Sequence, residues 1–354
     1  MKSGDFSHKI VEWYNEHHRD LPWRNTHDAY KIWLSEIILQ QTRVAQGLPY
    51  YEKFILHYPD INSLAGAKER EVLRLWQGLG YYTRARNLLK CAREVVRNFK
   101  GKFPKTYADL KALPGIGDYT AAAIASFAFG EHVAVVDGNV YRVLGRIFGV
   151  DQNIASPDGK KFYFQLANEL ISKGAPGVHN QAVMEFGALH CLPQNPKCTE
   201  CIFNRTCFAF QHDQQANLPV KIRQQKIRKR HFFYFFIRKG NKVLMSERAQ
   251  QDIWKGLYDF PYMEAARASS PIKMLGKFLQ TKKISGRTRV RMAISKQYKH
   301  ILTHQVIFAH FIELNWPEGK ALPDVNATWF STSQIEKVPK PVLITRYLKD
   351  RSIS

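Results

Sequence analysis

From residue 6 to about residue 210, apolar side chains return every third or fourth position. Examples are YKIWLSEIILQQTRVAQGL, EREVLRLWQGLG, RARNLLKCAREVVRNF and GKKFYFQLANELISKG. That period predicts a series of amphipathic helices, with Pro, Gly and Asp marking their ends. The pattern stops at AFQHDQQANLPVKIRQQKIRKR, which is polar and aperiodic and has six basic residues from Lys221 to Arg230. It reads as a linker. Beyond it the texture turns to β. HFFYFFIRKGNKVLMSER sets two apolar runs around a Lys-Gly-Asn turn, a hairpin signature, and YKHILTHQVIFAHFIEL is strand-like, rich in aromatic and β-branched residues. The expected organisation is an all-helical domain over residues 1–215, a basic linker over 216–230 and a smaller α+β domain over 231–354. No apolar run reaches the roughly 18 residues of a membrane span, and MKSGDFSHKIVEWYNEHH lacks the apolar core of a signal peptide. A soluble, cytoplasmic protein is the expectation.

One stretch, LPGIGDYTAA at residues 113–122, is too breakable for a helix interior, yet the helix-forming TAAAIASFAF begins within it at Thr120. With TYADLKAL before it, the stretch reads as a tight connection between two helices. Gly115 and Gly117 let the backbone turn sharply and let another chain come close. A turn feeding a helix N-terminus also presents unpaired N–H groups, a ready phosphate site, although the same residues make a simple helix–helix connection. Charge tilts the balance: 53 Lys+Arg against 30 Asp+Glu leave a net +23, which favours a polyanionic partner. Charge does not separate DNA from RNA or an anionic membrane, but no long basic amphipathic helix stands out. Further on, in VAVVDGNVYRVLGRIFG, Asp137 follows an apolar run and precedes Gly138-Asn139, the pattern of an Asx turn or a helix N-cap.

Four of the five cysteines crowd together as Cys191, Cys198, Cys201 and Cys207, while Cys91 falls in a helical stretch as a small core residue. In a cytosolic chain such clustering points to a metal rather than to disulfides. The C-x6-C-x2-C-x5-C spacing fits four thiolates on zinc or an iron–sulfur cluster, and its single C-x2-C pair favours the cluster.

Leu113-Pro114-Gly115-Ile116-Gly117, a helix, Val136-Asp137-Gly138-Asn139 and then the cysteines follow one another in an order that resembles the helix-hairpin-helix DNA glycosylases. The cysteine spacing resembles their iron–sulfur branch. LPWR, KIWLSEIILQQTRV, LWQGLGYYTRARNL, DGNVYRVLGR and NQAVMEFGALHC look like motifs of the MutY family of adenine glycosylases, densely over residues 6–210 and loosely beyond. Tyr119 stands where endonuclease III-type glycosylase/lyases have a Schiff-base lysine, so the resemblance implies hydrolysis without strand cleavage.

The resemblance further implies an all-α helix-hairpin-helix domain with a [4Fe–4S] cluster on Cys191, Cys198, Cys201 and Cys207, and a C-terminal α+β Nudix-like domain. The cluster would hold a loop bearing Lys197 and Arg205 against DNA phosphates. Glu36 falls on the general acid that protonates adenine at N7 and helps direct water. Its helix is apolar on nearly every side, with Ile32 and Leu39 on the same face, and burial raises a carboxyl pKa. On pattern alone, Glu36 reads rather as a carboxylate at the edge of a core helix paired with a basic residue, and the resemblance reverses that reading. Asp137 matches the second carboxylate, which stays ionised and stabilises the sugar cation. Tyr119 is implied in positioning or proton transfer, Asn139 in supporting Asp137, and Arg24 and Gln181 in lining the adenine pocket. Gly115 and Gly117 form the hairpin that grips a phosphate, and Gln41 and Tyr81 probe and wedge the opposite strand once the nucleotide is extruded.

In the second domain, Thr303 and His304 match a loop that contacts 8-oxoguanine, with Leu302 where the family has phenylalanine. The R-E-x-x-E-E run that lets a Nudix enzyme bind Mg²⁺ is missing, since EAARASSPIKMLGKFLQ contains one Glu, so a binding module is expected there. The implied partner is double-stranded DNA with adenine mispaired with 8-oxoguanine or guanine, bound by a monomer, in the cytoplasm and nucleoid-associated if bacterial. The rival readings are an endonuclease III-type lyase for oxidised pyrimidines and a catalytically silent lesion-binding protein.

Overall fold

The computed structural model describes residues 3–222, 227–249, 252–282, 291–317 and 326–353. Residues 223–226 of the expected linker lie outside the described residues. Contacts divide the chain into two compact units: Met1–Gly66 with Asn87–Arg223, and Ala67–Arg86 with Gln224–Ser354.

The helices before the linker are α1 (Ser3–His17), α2 (Ala29–Leu39), α3 (Val44–His57), α4 (Ile61–Ala65), α5 (Glu69–Leu75), α6 (Thr83–Phe99), α7 (Tyr107–Lys111), α8 (Asp118–Phe129), α9 (Gly138–Phe148), α10 (Pro157–Leu170), α11 (Pro176–Leu189) and α12 (Phe208–Gln211). Of these, α5 and the first turn of α6 fall in the second unit. The continuous apolar pattern from Tyr30 to Leu48 resolves into two helices. α2 starts at Asp28, whose side chain accepts from the Tyr30 N–H, and ends at Leu39; Gln41 then adopts φ 56° before α3 begins. A left-handed residue cannot continue the helical ladder, whereas side-chain periodicity runs straight through the break.

α8 is buried at every position from Thr120 to Ser126 and packs on α2, α7 and α11. Its small alanines let those neighbours approach, and Gly130 closes it in the left-handed conformation. α1, α9, α10, α11 and the cysteine loop share one core that includes Phe6, Trp13, Val143, Tyr163, Phe186 and Phe203.

In the second unit, strands β1 (Arg228–Lys239), β2 (Lys242–Glu247), β3 (Tyr258–Asp259), β4 (Tyr262–Ala265), β5 (Arg291–Ile294), β6 (Tyr298–Ile301), β7 (Gln305–Asn315) and β8 (Thr328–Ser331) build one mixed sheet. β1 runs parallel to β7 in register Arg228↔Gln305 through Arg238↔Asn315, and the other pairings are antiparallel. α13 (Pro271–Thr281), α14 (Thr332–Lys337) and α15 (Val342–Asp350) complete it. β1 is buried from Phe232 to Ile237 because alternate side chains meet different helices: Phe235 stacks on Phe278 of α13, and Phe236 packs edge-on to Tyr347 of α15. Burial on both faces explains the unbroken HFFYFFI run. The strand-like YKHILTHQVIFAHFIEL is a hairpin, β6 and β7, turning at Leu302-Thr303-His304. Among the described residues no helix is long and apolar enough to cross a membrane.

The two hairpin glycines differ in kind. Gly115 has φ 77°, and a Cβ there would lie 2.6 Å from the Asn87 Cβ; Gly117 is extended at φ −98° and faces open space. Gly115→Ala should therefore lower stability by at least about 1–2 kcal/mol, while Gly117→Ala should stay within about 0.5 kcal/mol of the parent. Thermal or urea unfolding of the two variants checks this, and equal losses would contradict it.

Candidate active site

Glu36 lies on the buried α2 and is 6 % exposed. Its carboxylate accepts a 2.6 Å hydrogen bond from the Tyr119 hydroxyl, delivered by the first turn of α8 just after the glycine turn. Burial is the main force on Glu36, pushing its pKa up to about 7; the Tyr119 hydrogen bond pulls down, nearby Asp137 pushes up and Arg24 pulls down. Asp137 is the N-cap of α9, its Oδ1 accepting at 2.8 Å from the N–H groups of both Asn139 and Val140. Its Oδ2 accepts from the Asn139 amide at 2.9 Å. Burial pushes this carboxyl up as well, but three N–H donors and the Arg142 guanidinium oppose the shift. The two acids thus differ in environment: Glu36 accepts from one hydroxyl, Asp137 from three N–H groups. Asp137 is the better-stabilised anion and Glu36 the easier proton carrier.

Asn139 is itself fixed. The Arg142 Nη2 donates to its Oδ1 at 2.8 Å and to the Gly187 carbonyl at 2.7 Å, and the Arg142 Nε donates to the Cys191 carbonyl at 2.7 Å. Gly187 on α11 permits this approach, since a Cβ there would sit 2.6 Å from the Asn139 Cβ.

Glu36, Tyr119, Asp137, Asn139, Arg24 and Gln181 all line one cavity of about 570 Å³. Gln181 accepts from the Tyr14 hydroxyl at 2.7 Å. Arg24 forms a bidentate pair with Glu185 at 2.8 and 2.6 Å, and Arg19 forms a second one from the other side. Burial pushes the Glu185 carboxyl up, but the two guanidiniums outweigh it and hold the pKa at about 2. Glu185 and Arg19 were not singled out from sequence. Their only signal there was a carboxylate in the middle of NQAVMEFGALHC, among residues that pack inward. Gln41 does not line the cavity; it is exposed on the turn after α2, and Gly115 and Gly117 are exposed on the turn leading to Tyr119.

Cys191, Cys198, Cys201 and Cys207 line a separate small pocket with Arg146, His190 and Lys197. Among the described residues no three His, Cys, Asp or Glu side chains are disposed to hold a single metal ion. Arg146, buried on α9, fastens this loop: it donates to the carbonyls of Leu192 at 2.7 Å, Pro193 at 3.1 Å and Leu218 at 3.2 Å, and to the Cys191 Sγ at 3.5 Å. Arg142 and Arg146, four residues apart on α9, were also missed from sequence, where each reads as one more basic side chain.

A model of the HhH-GPD superfamily of base excision DNA repair proteins matches residues 34–170, and a NUDIX domain model matches residues 233–350. The adenine DNA glycosylase of Buchnera aphidicola subsp. Baizongia pistaciae is 33% identical, covering 97% of this chain and 95% of its own length. The chain belongs to the adenine DNA glycosylase family. The Mus musculus adenine DNA glycosylase is 42% identical over 61% of this chain and 44% of its own. Among solved structures, a thermostable thymine-DNA glycosylase is 30% identical with a TM-score of 0.55, covering 59% of this chain and 97% of its own. A non-covalent endonuclease III–DNA complex, 19% identical with a TM-score of 0.52, shares the fold over 61% of this chain and 99% of its own. As an adenine DNA glycosylase of base excision repair, the protein hydrolyses the N-glycosyl bond of adenine in DNA.

The second unit contains the remaining expected residues. Tyr81, at φ 49° and 42 % exposed, hydrogen-bonds through its hydroxyl to the Thr303 Oγ1 at the tip of the β6–β7 hairpin. His304 is exposed beside it, its carbonyl accepting from the Arg228 N–H at 3.1 Å.

Burial leaves the folded-state pKa of Glu36 at about 7, well above that of an exposed glutamate. Its contribution to stability is therefore full below the unfolded pKa and is lost as pH rises through the folded one. That loss is on the order of 3 kcal/mol. Glu36→Gln should remove this part of the pH dependence, so the variant gains stability relative to the parent between pH 5 and pH 8. Urea unfolding across that range checks it, and parallel curves would count against a buried, proton-carrying Glu36.

Proposed function

We propose that this adenine DNA glycosylase acts on adenine paired with 8-oxoguanine, and with guanine, as a monofunctional enzyme that leaves an abasic site. In this reading Glu36 protonates the adenine ring and then helps direct water. Asp137, held by the α9 N-terminus and Asn139, stabilises the positive charge that develops at the sugar. Tyr119 keeps the Glu36 carboxyl in place, and its phenol cannot form the Schiff base that strand cleavage requires. Arg24 and Gln181, on the same cavity, orient the extruded base. The observation carrying the mispair assignment is the hydrogen bond between Tyr81, the wedge on the opposite strand, and Thr303 in the lesion-reading turn.

The four cysteines would hold a [4Fe–4S] cluster. Four thiols lining one pocket are a donor set that suits an iron–sulfur cluster. Bound there, it would brace the loop bearing Lys197 and Arg205 against DNA phosphates. The protein works as a monomer in the cytoplasm, on the nucleoid in a bacterium.

A labelled duplex with adenine opposite 8-oxoguanine tests the reading. Base release should be followed by strand breakage only after alkali, should slow as pH rises above about 7, where Glu36 loses its proton, and should vanish in Glu36→Gln. Nicking without alkali would indicate a lyase, and binding without release a silent reader. Protein purified anaerobically should be brown and contain iron; stoichiometric zinc without iron would reject the cluster.

A further inference from the structure

Among the described residues of the second unit, one buried ammonium is not used by the chemistry above. Lys340 is 4 % exposed, between Pro339 and Pro341, just past the C-terminal end of α14. Its Nζ donates to the Ile335 carbonyl and, at 2.9 Å, to the Val338 carbonyl; among the described residues no carboxylate forms an ion pair with it. Burial pushes its amine down to about 8. An ammonium kept in so dry a position fixes the chain around it, because displacing it strands the donors or the carbonyls.

The fixed main chain holds something specific. The Lys340 N–H donates to the Gln77 Oε1 at 3.1 Å, and the Lys340 carbonyl accepts from the Tyr82 hydroxyl at 3.1 Å. Gln77 and Tyr82 bracket a turn in which Gly78, Gly80 and Tyr81 have φ of 108°, 71° and 49°. A tyrosine in the left-handed region persists only where its surroundings over-determine it. The Trp76 Nε1 also pins the turn, donating to the Gly80 carbonyl at 2.9 Å. The residue so held is Tyr81, with its phenol on Thr303.

We propose that Lys340 is a positioning residue for opposite-base discrimination: by fixing Gln77 and Tyr82 it holds Tyr81 in the conformation that presents its ring to the base across from the excised adenine. The inference rests on Tyr81 being the opposite-strand wedge. Lys340 itself touches neither base nor reacting atoms, so its effect passes through Tyr81.

The test measures single-turnover adenine release from duplexes with 8-oxoguanine and with guanine opposite, and compares the ratio of the two rates. Lys340→Met keeps the length and apolar stem but has no donors. Gln77→Leu breaks the same clamp from the other side and serves if the first variant does not fold. Each should lower the ratio about tenfold, the scale of one lost buried hydrogen bond. In a Tyr81→Ala background, which lowers the ratio by itself, adding Lys340→Met should change nothing further. If Tyr81→Ala leaves the ratio unchanged, the wedge reading fails and this inference with it. If Tyr81→Ala lowers the ratio but both clamp variants preserve it, the wedge stands and the role of Lys340 is overturned. If Lys340→Met lowers both rates equally in either background, Lys340 is structural only and the proposal is again overturned.

Discussion

Two carboxyl groups in one buried cavity resist ionising together, and a fold that stabilises the two anions unequally decides which of them keeps its proton. The surrounding helices provide that inequality. α9 starts at Asp137, so the unpaired N–H groups of its first turn already point at that carboxylate and its positive end faces the same way. α2 buries Glu36, and α8 offers it the single Tyr119 hydroxyl. Arg24, which could have neutralised Glu36, is occupied by Glu185, and Glu185 is held ionised by two guanidiniums. Charge in this cavity is sorted by hydrogen-bond supply, and the helix packing exists in the form that keeps that supply uneven.

The same packing links the cavity to the cysteine loop through α9. Arg142 reaches from the Asn139 amide to the Cys191 carbonyl, and Arg146, one turn on, grips the carbonyls that flank that loop. A single helix thus orients the Asp137 carboxylate at its N-terminus and anchors the thiol-bearing loop along its length.

Much of the site was legible because its residues are marked locally. Asp137 reads as a helix cap from its neighbours alone, and it is one; capping and charge placement are the same geometry. Glu36 is conspicuous as an acid in an otherwise apolar helix, and the four cysteines announce themselves by spacing. The illegible features depend on partners far away in the chain. Glu185 meets Arg19 and Arg24 across more than 160 residues. Composition hides the turn at Leu302-Thr303-His304 in a stretch that favours strand throughout, so only the family resemblance marks it as a loop, and the break after Leu39 hides in an unbroken apolar period. Nor does periodicity say which neighbours a helix will choose. α5 looks like its helical predecessors but packs with the C-terminal unit, where Leu73 approaches Gly256.

That choice has a bearing on how the protein can be divided. The chain passes between its units after Gly66, after Arg86 and after Arg223, so they are not beads joined by one thread. A fragment ending at the linker would keep both carboxyls and all four cysteines. It would also keep Ala67–Arg86 while losing what that segment rests on: Gly256 beside Leu73, and Lys340 between Gln77 and Tyr82. Recombination at the linker would likewise give Tyr81 a foreign support. The segment that carries Tyr81 is therefore interleaved in the gene with the unit that holds the two carboxyls.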